Sequence, residues 1–527
     1  MRVALVILLS IWGLFRFDLT DDKRYSLNDA SKELVRSLDA PVEVTIYLDG
    51  ELNPGFKRLK RATEELVDEL GVYGSFSRQN GDPKTLEPFG LTPTIVHERT
   101  QDGRTAQTAV YPYATVCYKS RTTVVSLLHN TRGQSGEQNL NQSMENLEYA
   151  FAEAIHSLTV TEPLRIAFLE GHGELPEEAV YDISRSLSRY FQVDRGVLGD
   201  DPAVLDNYKV VIIADPQTRF SEKDKYIIDH YIRRGGSVLW CINGVRFSHD
   251  ALTKEGFTPV LPLDLNISDL LFRYGVRVNS SLLQDVQCLP VPVNVSSDPM
   301  QPNFQPLPWY YAPLLLTSQQ SPITRNVGQV SCTFVSHVDA VGGEDGLEKE
   351  VLLATSNASR ITATPAEVDL GDMNPDPATF KYAYIPVAMR VEGVFPSLFS
   401  HRLPPEGIKE TSVQDSAVSA KQIIVASGSV IRNEWQHNEA LPVGYDRYSG
   451  MTFGNRDFLT NAVLYLADDE GLMSLRQREI TLRLINTKRA YAVKPVIQVL
   501  SVVLPILLLA LTGVIVTVIR RRKYARM

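Results

Sequence analysis

The sequence predicts an α/β protein tethered to a membrane. Strand-like and helix-like segments alternate between residues 165 and 242, and helix, strand and helix succeed one another between residues 25 and 70. An uncharged apolar run then fills residues 496–519. Alternation of strand with helix implies a parallel sheet covered on both faces, and an apolar run of that length implies a transmembrane helix. The expected order starts with an N-terminal hydrophobic anchor (1–17) and a first extracytoplasmic α/β domain (18–160). A doubly wound domain of flavodoxin- or amidotransferase-like type follows (161–250), then an inserted Pro-rich, β-rich subdomain with a linker (251–420). The chain returns to the doubly wound domain and a stalk (421–494), and ends with the transmembrane helix (495–519) and a basic cytoplasmic tail (520–527).

Residues 3–15 are apolar but, at about 20 Å of helix, fall short of a bilayer core of about 30 Å. Phe15, Arg16, Phe17 and Asp18 follow without a small-residue cleavage pattern, so a signal anchor is expected rather than a cleaved peptide. Residues 25–39 read as a helix, with Ser26 or Asn28 as cap and Ala30, Leu34, Val35 and Leu38 at helical spacing. In residues 42–48 Val42, Val44, Ile46 and Leu48 alternate with Glu43, Thr45 and Tyr47, a strand pattern. Residues 55–70 form a second amphipathic helix, and 105–118 and 122–128 read as strands joined around Lys119–Arg121. This succession is compatible with a thioredoxin-like layer.

Residues 141–158 carry Met144, Leu147, Phe151, Ile155 and Leu158 on one helical face. The regular part then runs as strand 165–169, helix 177–190, strand 209–214, helix 221–233 capped by Ser221, and strand 237–242. Between 249 and 405 the pattern gives way to Pro-rich loops and short strands, including the run 289–309, and 404–420 reads as a connector. Residues 422–426 and 455–466 return as a strand and a helix that complete the doubly wound sheet.

The run 496–519 has only Gln498, Ser501, Thr512 and Thr517 as polar residues, and roughly 36 Å of helix spans a bilayer. Arg520, Arg521, Arg522, Lys523 and Arg526 follow, which places the tail in the cytoplasm and the bulk of the chain in the periplasm. Gln498 is a candidate interhelical hydrogen-bond donor, and simple packing against lipid or protein backbone is the plainer reading. The chain carries a net charge of −9 despite this basic tail, so the remainder is acidic and nucleic acid is excluded as a partner. Cys117, Cys241, Cys288 and Cys332 form no C-x-x-C pair. Buried free thiols are expected, with a Cys288–Cys332 disulfide as the alternative.

Few residues carry chemistry. Glu170, His172 and Glu174 stand at alternate positions just beyond the strand 165–169, where open α/β sheets place ligands. They are the tentative ligand-binding residues, and a glycine turn whose polar groups bond backbone is the plainer reading. No second histidine cluster supports a metal site, and no cofactor is expected. Cys241 follows a strand but has Leu239 and Asn243 where a nucleophile elbow needs small residues. Ser427-Gly428-Ser429 lacks the G-x-S-x-G frame and reads as a loop. No G-x-x-x-x-G-K-[ST] run occurs, so any ATP is hydrolysed by another subunit.

Several ordered segments resemble one family. RFDLTDDKRYSL (16–27), PVEVTIYLDG (41–50), GFKRL (55–59), NLEY (146–149), GHGE (171–174), YIID (226–229), EGVFPS (392–397) and GNRDF (454–458) are similar to the auxiliary component of gliding-motility ABC transporters, the GldG family. The resemblance covers nearly the whole chain. It implies a non-catalytic, membrane-anchored exterior subunit that works with a separate ABC permease and a separate P-loop ATPase in the inner membrane. The transported substrate is unknown. The first alternative is a membrane-anchored periplasmic module that binds a solute or polypeptide, and the second is a hydrolase or amidotransferase-like enzyme.

Overall fold

The computed structural model describes residues 27–468, except 51, 90, 92, 100–104, 129–135, 160–162, 295, 297–300, 302, 343–345, 372–374, 401, 403, 409–416 and 437, together with 503, 510–518 and 521. The chain divides into two units, Met1–Tyr25 with Glu479–Met527, and Ser26–Arg478. In the first unit residues 510–518 are helical and exposed, Leu511 by 59%. The anchor 3–15, Gln498, most of the apolar run 496–519 and the basic tail save Arg521 lie outside the described residues. Among the described residues no helix is long and apolar enough to cross a membrane.

The unit Ser26–Arg478 opens with a small α/β layer. The helix Asp29–Arg36 is capped by Asn28, whose side chain accepts from the Ala30 N–H at 3.2 Å. In the strand Val42–Ile46 the residues Val42, Val44 and Ile46 are buried and Glu43 exposed, as the alternation predicts. The helix Pro54–Tyr73 starts with Asn53 accepting from Phe56 N–H at 2.9 Å and Pro54 in its first turn, where a missing N–H costs nothing. Its buried stripe of Phe56, Leu59, Val67 and Leu70 packs with Leu147, Phe151 and Ile155 of the helix Gly136–Thr159. The four-stranded sheet runs Phe76–Asn80, Val42–Ile46, Tyr113–Tyr118, Arg121–Ser126; the first pair is parallel and the others antiparallel.

Two features differ from expectation here. The single strand expected over 105–118 is two, because Pro112 has no N–H to continue a ladder. Thr105–Val110 pairs instead with Thr94–Arg99 as a separate hairpin. The parallel strand Phe76–Asn80 gave no signal, since four of its five residues are exposed and polar.

The larger sheet has ten strands. Five are parallel, in the order Gln192–Val197, Arg165–Glu170, Val210–Ala214, Ser237–Cys241, Ser419–Val425. The sheet then continues antiparallel through Pro386–Val394, Glu348–Ala354, Phe304–Thr317 and Cys288–Asn294, with the tenth strand Val330–Ser331 also pairing with Phe304–Thr317. The region 251–420 thus supplies strands to the same sheet. Alternate residues of the parallel strands enter different apolar clusters. Ile166, Ile212, Leu239 and Ile423 pack with Ile183, Leu187, Phe458 and Ala462, whereas Leu169, Ile213, Trp240 and Ile424 pack with Ile227, Ile228 and Tyr231. Both faces are therefore buried, which is why these strands read as continuous apolar runs. The helix expected over 177–190 is a 3₁₀ turn, Glu177–Val180, followed by the short helix Tyr181–Leu187. The helix Glu222–Arg233 has a complete capping box between Ser221 and Asp224.

In the Pro-rich run 289–309, where loops and short strands are expected, Cys288–Asn294 pairs with the start of Phe304–Thr317. Pro290 lies opposite Pro308 and Pro292 opposite Pro306. Prolines two apart and facing each other occupy the antiparallel positions whose N–H would point out of the pair, so the ladder loses no donor.

Buried polar groups fasten this frame. Asp229, fully buried in the helix Glu222–Arg233, accepts from the Tyr274 hydroxyl at 2.6 Å, the Ser397 hydroxyl at 2.6 Å and Leu398 N–H at 3.2 Å. Replacing Asp229 by Ala strands two buried hydroxyls and a half-buried N–H, and an acceptor lost to such groups costs about 2–4 kcal/mol. Urea denaturation is expected to show that loss for Asp229→Ala, and a much smaller one for the exposed Lys254→Ala.

Candidate functional site

The carboxyl ends of the parallel strands converge on one edge of the large sheet. After Arg165–Glu170 the chain turns through Gly171 (φ 115°) and Gly173 (φ 74°), conformations that glycine alone adopts without strain. A Cβ on Gly173 would also stand 3.2 Å from that of Gln217. Between these glycines His172 is drawn inward. Its backbone N–H donates to Glu174 Oε2 at 2.6 Å, its Nδ1 lies 3.0 Å from Glu174 Oε1, and its Nε2 lies 3.3 Å from Asp224 Oδ2. The ring stacks on Phe220 with centroids 3.7 Å apart. The His172 carbonyl accepts from the N–H groups of Gln217 and Thr218 at 2.8 and 2.9 Å.

Burial alone would lower the proton affinity of His172, but hydrogen bonds to Asp224 and Glu174 outweigh it and raise the pKa to about 9. Asp224 is held below the ordinary carboxylate value: burial opposes the shift, and the bonds from His172 and Ser221 overcome it. A doubly protonated imidazole donates from both nitrogens and has no lone pair for a metal. Of the three residues read from the sequence, His172 and Glu174 are brought together and Glu170 is not. Glu170 accepts from Arg195 Nε at 2.7 Å; the same guanidinium donates to Leu175 O at 2.9 Å and lies over the Phe168 ring.

Beside this turn lies a cleft of about 860 Å³. Its floor comes from residues one to three places beyond three neighbouring strands. Asp215 follows Val210–Ala214 in a left-handed conformation (φ 56°), and its N–H donates to Cys241 O at 2.7 Å. Asn243, beyond Ser237–Cys241, donates from Nδ2 to Asp215 Oδ1 at 2.6 Å and accepts from Gly428 N–H at 2.9 Å. Gly428 follows Ser419–Val425, and a Cβ there would be 2.2 Å from Asp215 Cγ, so only glycine fits. Gln217 Nε2 adds a second bond to Asp215 Oδ1 at 2.9 Å. Burial raises the Asp215 pKa to about 6, while the Arg432 charge and the bonds from Gln217 and Asn243 pull the other way.

Sequence reasoning found His172 and Glu174 but missed Asp215, Asn243, Gly428 and Arg432. Their signal was positional: the rule that ligands lie beyond the carboxyl ends of strands applies to every strand of the sheet, not only the first. Ser427-Gly428-Ser429 sits at this floor, with the Ser429 hydroxyl accepting from Thr333 N–H at 2.8 Å. The four cysteines are all free, so the Cys288–Cys332 pairing is not made. Cys241 is fully buried in the core, which pushes its thiol pKa up and leaves it inaccessible to a substrate.

The family model for an ABC-type uncharacterized transport system matches residues 164–462, and a domain of unknown function matches 21–117. No curated protein matches. Among solved structures, the mmIFT52 N-terminal domain aligns at 15% identity with a TM-score of 0.33, over 58% of this chain and 98% of its own. A ThuA-like protein from Parabacteroides merdae aligns at 10% identity with a TM-score of 0.28, over 58% of this chain and 90% of its own. The family match begins just before the strand Arg165–Glu170 and ends within the helix Asn455–Ala467, so it encloses the ten-stranded sheet.

The His172 charge predicts a pH dependence. The folded protein holds this proton at a pKa of about 9, against an ordinary 6.5. The stabilisation is therefore complete below about 6.5 and is lost as pH rises through about 9. Chemical denaturation between pH 6 and 9.5 is expected to show falling stability, and His172→Gln to remove that part of the slope.

Proposed function

Because the chain belongs to the family of ABC-type transport system auxiliary proteins, we propose that it is the non-catalytic extracytoplasmic subunit of a transporter associated with gliding motility, acting beside a separate permease and a separate P-loop ATPase. The family match over residues 164–462 carries the reading. The gliding-motility part rests on the segments 16–27, 226–229, 392–397 and 454–458 and their resemblance to the GldG family. The apolar run 496–519 and the five basic residues after it support an inner-membrane anchor with the bulk in the periplasm.

The resembling segments make structural joints. Asp229 of YIID binds Ser397 of EGVFPS at 2.6 Å. Arg456 of GNRDF makes a two-pronged bond to Asp182 at 2.9 and 2.6 Å, and Asn455 exchanges bonds with the Ser331 backbone. Glu148 of NLEY accepts from Asn28 N–H and the Ser31 hydroxyl at 2.6 and 2.8 Å. A conformationally fixed frame of this kind suits a subunit that presents surfaces to partners. The order of the small sheet also supports a thioredoxin-like layer in a structural role, since Cys117 has no second cysteine near it in sequence. The solute-binding alternative draws support from the cleft at the strand ends.

The test is affinity purification of the full chain from mild-detergent membranes with mass spectrometry of what accompanies it. Stoichiometric recovery of a multi-span permease and a P-loop ATPase is expected. Recovery of this chain alone, under conditions that preserve another ABC complex, would overturn the reading.

A further inference from the structure

The cleft at the strand ends is lined by the cations Arg246, Arg432 and Arg447 and by the carboxylates Glu174, Asp215, Glu178 and Glu434. Arg246 and Arg432 line it, both exposed, and neither forms an ion pair among the described residues. Arg447, on the same cleft, is by contrast neutralised by Glu434. A guanidinium is charged at any accessible pH and offers a planar fork of donors that matches carboxylate or phosphate oxygens. Below them Asp215 commits only one oxygen. Oδ1 takes bonds from Asn243 and Gln217, whereas Oδ2 accepts none from the described residues. Asn243 and Gly428 hold this carboxyl from neighbouring strand ends, so its position is set before any ligand arrives.

We propose that this cleft binds a small oxyanion solute, with Arg246 and Arg432 gripping its carboxylate or phosphate and Asp215 accepting a hydrogen bond from a hydroxyl next to that group. The volume, about 860 Å³, is of the order that accommodates a compact metabolite. Of the other carboxylates on the cleft, Glu174 is paired with His172 and Glu434 with Arg447, and the exposed Glu178 is screened by water. Proton sharing at Asp215 fits the same picture, because a pKa of about 6 lessens the repulsion of an arriving anion. This site goes beyond the transporter-subunit reading, which holds whether or not the cleft is filled.

Isothermal titration of the full chain in detergent tests it with four probes: L-malate, glycerol 3-phosphate, inorganic phosphate and uncharged glycerol. Malate or glycerol 3-phosphate is expected to bind at millimolar or tighter affinity, and which one does so tells carboxylate from phosphate recognition. Inorganic phosphate, which lacks the neighbouring hydroxyl, and glycerol, which lacks the charge, are each expected to bind about tenfold more weakly or not at all. Arg246→Gln and Arg432→Gln should each weaken the charged probe by about tenfold, while Lys254→Gln, remote from the cleft, leaves it unchanged. Both arginines are exposed and make no ion pair among the described residues, so thermal melts of the unliganded variants should match the parent protein. The proposal is overturned if neither hydroxylated anion binds at about 10 mM, a concentration that detects weak solute sites. It is also overturned if the double arginine variant binds them as well as the parent. Retention of transporter partners by that variant separates this outcome from failure of the subunit reading.

Discussion

The buried imidazolium of His172, held between Glu174 and Asp224, is the interaction around which the working edge of the large sheet is organised. One residue ties the turn after the first parallel strand to the segment 217–224: its carbonyl accepts from Gln217 and Thr218 N–H, and its ring reaches Glu174 and Asp224 at the start of the helix Glu222–Arg233. A lone buried charge would be costly. Here two carboxylates share it, a flat Phe220 ring covers one face, and Asp224 is itself fixed by the Ser221 capping box. With those loops set, Gly173, Glu174 and Gln217 stand at the edge of the cleft and Asp215 lies at its floor. The residue chosen from sequence as a ligand candidate therefore shapes the site through its neighbours.

Much of the fold was legible because local chemistry and tertiary environment agree. Asn28 and Ser221 cap helices as their side chains predict, and the apolar strands 210–214 and 237–241 are buried on both faces. What was illegible fails for identifiable reasons. Phe76–Asn80 and Gln192–Val197 lie at sheet edges, so most of their residues face solvent and no apolar periodicity survives. The Pro-rich strands 288–294 and 304–317 violate strand propensity residue by residue, and make sense only once the prolines are seen facing one another. At the site, Asp215, Asn243 and Gly428 are ordinary loop residues in sequence. Their meaning comes from a parallel sheet that brings positions 215, 243 and 428 together.

The family resemblance is carried by residues that hold elements to one another. Asp229 with Ser397, Arg456 with Asp182, and Glu148 with Ser31 each join segments more than 100 residues apart. Such joints constrain sequence strongly because each donor needs its acceptor in place, whatever solute or partner the protein meets. This explains how motifs can specify an auxiliary subunit without naming its cargo. Cleft residues such as Arg246 and Arg432 lie outside all of the quoted segments, and selectivity can differ there without disturbing the frame.

The facing prolines at the outer end of the large sheet have one more consequence. An open sheet ends in a row of unpaired donors and acceptors that invites another strand to add on. On Cys288–Asn294 the residues at 290 and 292 are prolines, and their positions are those whose N–H would point away from the partner strand. That border thus offers carbonyls without matching donors and is a poor template for extension. A sheet border closed by chemistry instead of by a covering helix can stay exposed without zipping onto a neighbouring strand.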